Sequence, residues 1–237
     1  MAEGTSPRGA DLVRHIRRLV DESGVNNNEF FRNFKAGKVS LDGVKTVGQQ
    51  FFHYNRTFTQ TMAGLCFRTE SEMTRLRLAQ TVVSELGGGN GDPHFTLFRQ
   101  ALAGINVTID DDPRRVPRTA ETDKFVEGLK ELFTELPPYH AVGAHFVLEE
   151  TGAPMISALY EGFRNYPGWK HEDFGYFYIH MIVEKDHVEW IEAAVIEAAN
   201  DAVGSRQIEA GARRVLDLLG VFWSGLNRLS LEYAKAA

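Results

Sequence analysis

A single cysteine, Cys66, stands in the 237-residue chain, so an intrachain disulfide and a cysteine-based zinc site are excluded. No apolar run approaches the roughly 20 residues that a membrane-spanning helix needs. Basic residues are in the minority: 26 Lys and Arg stand against 32 Asp and Glu, a formal net charge of −6. That balance argues against a nucleic-acid partner held by a basic surface. Residues 1–8 are small and polar where a secretion signal would be apolar, and read as a flexible N-terminus. Strand-like alternation, internal repeats and low-complexity linkers are also missing. These absences lead us to expect a cytoplasmic protein that engages neither membrane nor nucleic acid.

What is present is helical periodicity, with 43% hydrophobic residues to supply a full core. Leu12, Ile16, Leu19 and Val20 recur at helical spacing over 9–23, and Asn26 to Asn28 offer a cap for a short helix bearing Phe30, Phe31 and Phe34. Ser40 opens a long run to about Phe67, rich in aromatics. Ser71 caps the next helix, which Gly87-Gly88-Gly89 terminates near Leu86. Asp92-Pro93 is a helix start, with Asp at the cap. After a loop over 106–118, Thr119 caps a helix to Leu136. Pro137-Pro138 separates it from one running to Tyr166, which Pro154 should kink. Asp173 can cap a helix to Ala199, and a last one covers about 207–233. The expectation is one all-α domain over 9–237, a bundle of about seven to nine helices.

Chemistry concentrates in the penultimate helix. His180, Glu184 and His187 are four and then three residues apart, which puts all three within about 40° of one another around a helix. Phe177 and Ile191 continue that stripe, while Lys185, Asp186, Glu189 and Glu192 turn away from it. Imidazoles and a carboxylate on an apolar face are costly unless something pairs with them, and a metal ion would use all three. A histidine bonded to a carbonyl is the plainer account for any one of them. Glu85 ends an apolar stripe that includes Leu78 and Val82, and His94 turns inward with Phe98 and Ala101. Alone, each reads as a surface residue; together they flank one tight turn. Midway along the 139–166 helix stand Glu149 and Glu150, about 100° apart, so only one can readily face a shared site. The apolar stripe does not say which.

Glu184-Lys185-Asp186-His187 is the only Glu-x-x-His in the chain, so the paired motif of ferritin-like diiron proteins is not met. Three segments, S-E-L-G-G-G-N-G-D-P-H at 84–94, L-E-E-T-G-A-P at 148–154 and H-M-I-V-E-K-D-H at 180–187, resemble the haem-oxygenase-like diiron oxidases and oxygenases in order and approximate spacing. The resemblance covers about residues 52–199. It implies a haem-oxygenase-like helical bundle and two non-haem irons, held by Glu85, His94, Glu150, His180, Glu184 and His187. Glu150 is selected because the family's glutamate precedes a proline by four residues. Many members carry Asp where Glu184 stands, so a chelating or bridging mode opens here that Asp would not allow.

The resemblance further implies O2 as co-substrate and a small-molecule substrate, a free amino acid or derivative in specialised metabolism. Hydrogen abstraction from carbon would lead to desaturation or ring closure. N-oxygenation and oxidative decarboxylation of a fatty acid are alternatives on the same scaffold. A non-catalytic bundle with a structural His/Glu network is the alternative from another class. A haem-binding reading would fall on His15 and leave the later cluster unexplained. Polar residues of the long second-quarter helix, His53, Tyr54, Asn55, Arg56 and Gln60, are candidates to line the pocket, with Arg56 available for a carboxylate. An external electron donor and a homodimer are compatible with this reading.

Overall fold

The computed structural model describes residues 7–112 and 114–232, and the side chains of these apart from 7, 173 and 182–186. Among them are nine α-helices and no strand: α1 (Pro7–Ser23), α2 (Glu29–Lys35), α3 (Leu41–Arg68), α4 (Glu72–Glu85), α5 (His94–Gly104), α6 (Ala120–Lys130), α7 (Pro138–Phe163), α8 (Gly175–Ala198) and α9 (Ala202–Glu232). A π turn at Glu131–Glu135 prolongs α6. The first helix starts two residues before the expected position.

Helix starts follow the polar caps. Asn28, Ser40, Ser71 and Thr119 each accept a hydrogen bond from the backbone N–H three residues on, satisfying a donor that the helix itself leaves open. Asp92 does not act this way. Pro93 is the residue before α5, and the Asp92 carboxylate accepts from Gln100 instead. The position before α8 is Phe174, without a side-chain cap, and the expected cap from Asp173 lies outside the described side chains. Pro154 is accommodated within α7, which runs unbroken to Phe163.

The central element is α7. Every residue from Ala141 to Glu149 is buried, because the segment is apolar apart from His145 and Glu149 and must be enclosed on all sides. It packs chiefly on α9 and α8, and the crossing with α9 is close enough to require glycine. A Cβ at Gly143 would lie 2.0 Å from the Ile208 carbonyl oxygen, and one at Gly211 only 1.9 Å from that of His140. Helices α4 and α5 lean on α8 from one side and on α3 from the other. One continuous apolar core runs from Leu12 to Leu226. Four helix segments (the end of α4, the start of α5, and the middles of α7 and α8) are thereby aimed at one another.

Candidate metal centre

Glu85 is the last residue of α4 and His94 the first of α5. The chain reverses between them through Gly87, Gly88 and Gly89, all at positive φ (91°, 62° and 85°), where a side chain would be strained. Gly88 N–H reaches back to the Val83 carbonyl (2.8 Å) and Gly91 N–H to that of Gly87 (2.8 Å), which tightens the reversal. His94 Nδ1 consequently sits 3.0 Å from Glu85 Oε2, both side chains largely buried. The two atoms are not aligned as a hydrogen bond, and among the described residues His94 Nδ1 has no other hydrogen-bond partner. Two donor atoms at contact distance without a shared proton are arranged as ligands of one ion would be.

From α8, His180 stacks obliquely on His94, with ring centroids 4.5 Å apart. Its Nδ1–H donates to the Tyr176 carbonyl at 2.7 Å, which leaves Nε2 as the basic nitrogen. This backbone anchor on the second nitrogen is the usual companion of a metal-ligating imidazole. Burial pushes His180 down to about 4; the neighbouring Glu85 charge opposes the shift and His94 reinforces it. The ring is therefore neutral near pH 7, the state that binds a metal. Donor atoms of Glu85, His94 and His180 all lie within 4.8 Å of one another.

A second group adjoins the first. His187 Nδ1 is 3.5 Å from Glu149 Oε2 and 4.0 Å from Glu85 Oε1. Glu85 thus turns one oxygen toward His94 and the other toward His187. Glu149 is buried to 4% exposure and its Oε1 lies 2.7 Å from His145 Nε2. Burial alone would raise the Glu149 carboxyl, but hydrogen bonds from His145 and His187 outweigh it and hold the group well below the usual carboxylate range.

Glu150, expected as the mid-chain ligand, is not in the cluster. It faces α1, where Arg17 Nε donates to its Oε1 at 2.9 Å while Arg17 Nη2 donates to Glu192 Oε2 at 2.7 Å. The glutamate that faces the cluster is Glu149. Glu184 lies in α8 between His180 and His187, and its side chain is outside the described set.

A cavity of about 40 Å³ opens beside the cluster, lined by Tyr54, Asn55, Thr59, Phe95, Met155 and Tyr176 among others. That space holds roughly two or three waters. Tyr54 and Asn55 line it as expected. Three other candidates do not. His53 turns away and donates Nε2–H to the Val116 carbonyl at 3.0 Å. The Arg56 guanidinium lies over the rings of Phe52 and Phe95, at 5.6 and 5.7 Å. Gln60 is exposed. His15, the position for a haem ligand, pairs with Glu209 at 3.1 Å. His145 escaped notice in the sequence, although His145-x-x-x-Glu149 repeats the spacing of His180-x-x-x-Glu184.

The arrangement defines a class: an all-α protein with a buried imidazole–carboxylate cluster whose donor atoms could hold a cation of intermediate softness. Comparison with known proteins narrows it. The chain belongs to the iron-containing redox enzyme family, whose profile matches residues 45–220. The 4-chloro-allylglycine synthase of Streptantibioticus cattleyicolor is 23% identical over 215 residues, 90% of this chain and 81% of that protein. Among solved structures, a CADD-like protein of unknown function from Nostoc punctiforme superposes with a TM-score of 0.76 at 17% identity, covering 92% of this chain and 98% of that one. A domain of unknown function from Shewanella denitrificans with a heme oxygenase-like fold gives 0.71 at 14% identity, with 94% and 92% covered. A TenA homologue from Pseudomonas syringae gives 0.73 at 12% identity, with 96% of each chain covered. The fold is haem-oxygenase-like, and the chain is an oxidoreductase of an iron-using family. Among the described residues no helix is long and apolar enough to cross a membrane.

Proposed function

We propose that the protein is an O2-dependent non-haem diiron enzyme that removes hydrogen from carbon in a small molecule, a free amino acid or derivative. The observation that carries this reading is the Glu85 carboxylate, with Oε2 at 3.0 Å from His94 and Oε1 at 4.0 Å from His187. One carboxylate facing two imidazole groups suits two cations better than one. Glu85, His94 and His180 would hold the first iron and Glu149 and His187 the second, with Glu184 completing the set. The unpartnered His94 Nδ1, the backbone-anchored His180 and the mixed N/O donors fit iron. When bound, two irons supply the redox capacity to reduce O2 and oxidise a C–H bond.

The protein's own residues hold and orient. Desaturation takes two electrons from substrate, whereas reduction of O2 to water takes four, so an external donor provides the other two. Phe95, Met155 and Tyr176 keep water from the reacting carbon. Asn55 Nδ2 is buried without a hydrogen-bond partner and lines the cavity, so it is the donor available to a substrate oxygen. Among the described residues no lysine or arginine lines the cavity, so the paired charges expected for an amino acid reduce there to this amide and the cations themselves. The small cavity favours a small substrate over a fatty acid, which would want a long apolar tunnel. The amino-acid class is further supported by the synthase relative.

Iron analysis after anaerobic Fe(II) loading and desalting should give about two irons per chain. Exposing that protein to O2 with panels of amino acids and fatty acids should then yield a product two mass units lighter from an amino acid. Absence of bound iron would overturn the proposal. Turnover of fatty acids alone would move it to the decarboxylase reading, and a product one oxygen heavier at nitrogen to N-oxygenation.

A further inference from the structure

We propose that His145 is a positioning residue of this centre: it grips one oxygen of Glu149 and so turns the other toward His187. The two residues are one helical turn apart on α7, with side chains 1% and 4% exposed, and Nε2 to Oε1 is 2.7 Å. That is the length of a charge-assisted hydrogen bond. His145 Nδ1 is buried and has no hydrogen-bond partner among the described residues.

Phe58 meets the His145 ring edge-on at 6.1 Å, and the ring shares a crevice with Thr74, Arg77, Leu78, Thr81, Trp190 and Ile191. Among the described residues, the Glu149 carboxylate is the hydrogen-bond partner of the imidazole. With Oε1 taken, Glu149 presents the single oxygen Oε2, 3.5 Å from His187 Nδ1. Outer partners that orient ligating carboxylates in this way typically set metal affinity by 10–100-fold.

The inference rests on the two-metal reading above, and the test separates the two. Chelator-treated protein is titrated with Co(II) under argon and followed by d–d absorption. Wild type should take up about two Co(II) per chain. His145→Leu should weaken one site by about 10–100-fold and leave the other within a few-fold. His145→Gln, whose amide can still donate to Glu149, should stay near wild type, and His145→Asn, too short to reach, should behave like the leucine variant. A wild type that binds no Co(II) overturns both readings before any substitution is made. Two Co(II) in wild type with unaltered affinities in the variants overturns only the role of His145. Equal weakening of both sites marks a merely structural residue, and a glutamine variant as weak as leucine marks a direct ligand; either overturns positioning. Should His145→Leu fail to fold, the Gln and Asn pair decides alone.

Discussion

Glu149 and Glu150 leave α7 about 100° apart, and that angle sends one to the imidazoles and the other to Arg17. Anaerobic Fe(II) loading followed by metal analysis should distinguish them: Glu149→Gln loses about one of two irons, whereas Glu150→Gln keeps both. The second variant gives up only a partly exposed ion pair, so urea unfolding should register no more than about 1 kcal/mol. Loss of iron from the Glu150 variant alone would reverse the assignment. The sequence could not decide this, because Phe146, Val147 and Leu148 are buried all round and leave no polar face to point the way. His53 shows the converse, a polar residue with a purely local task. Burial pushes it below its ordinary 6.5, with its bond to Val116 acting the other way. The unfolded chain therefore takes up this proton first, so its stabilising effect is complete above about pH 6.5 and fades as the pH falls below it. Urea midpoints measured between about pH 8 and pH 5 should fall less steeply for His53→Gln than for wild type. Parallel slopes would show that the ring titrates as if exposed.

At the scale of elements, the glycine turn between α4 and α5 sets the distance from Glu85 to His94. Gly87 has φ of 91°, and a Cβ there would come within 2.3 Å of the Gly91 carbonyl oxygen. Gly87→Ala should cost at least about 1–2 kcal/mol in denaturant unfolding and weaken metal binding as well. A destabilised variant with undiminished metal affinity would mean that the turn does not gauge the site. This turn was legible in the sequence, since three glycines and an Asp-Pro are strong punctuation. So were the caps at Asn28, Ser40, Ser71 and Thr119, whose hydroxyls or amide precede apolar runs. The α7–α9 crossing was not legible. Gly143 and Gly211 look like weak points in good helices, because only the partner backbone, absent from any local pattern, explains them. Gly211→Ala should force the helices apart and destabilise by about 1–3 kcal/mol or more, the scale of overpacking a tight core. A neutral result would show the crossing to be looser than 1.9 Å implies.

For the whole molecule, the candidate ligands come from α4, α5, α7 and α8, so bound cations would tie four helices together. Periodicity made the helical bundle legible, and the order of motifs made most of the cluster so. The distances among side chains 85, 94, 149 and 187 depend on packing between helices far apart in sequence, which no local pattern records. That convergence makes metal binding a contribution to folding. A cation that binds only the folded chain adds about 2.7 kcal/mol per site at a free concentration 100 times its Kd. In a chain of this size one kcal/mol moves Tm by about 2–4 °C. Anaerobic Fe(II) should therefore raise Tm by about 5–10 °C for one site and by more for two, as read by calorimetry against chelated protein. Glu85→Gln should abolish most of that rise, because Glu85 faces both imidazole groups, while Glu150→Gln should retain it. Hydrogen exchange should slow most on loading around residues 85–94, where a short turn and two helix ends are held by few other contacts. If wild-type Tm ignores Fe(II) and Co(II) alike, the buried acids and imidazoles are a network that satisfies itself, and the helices converge for packing alone.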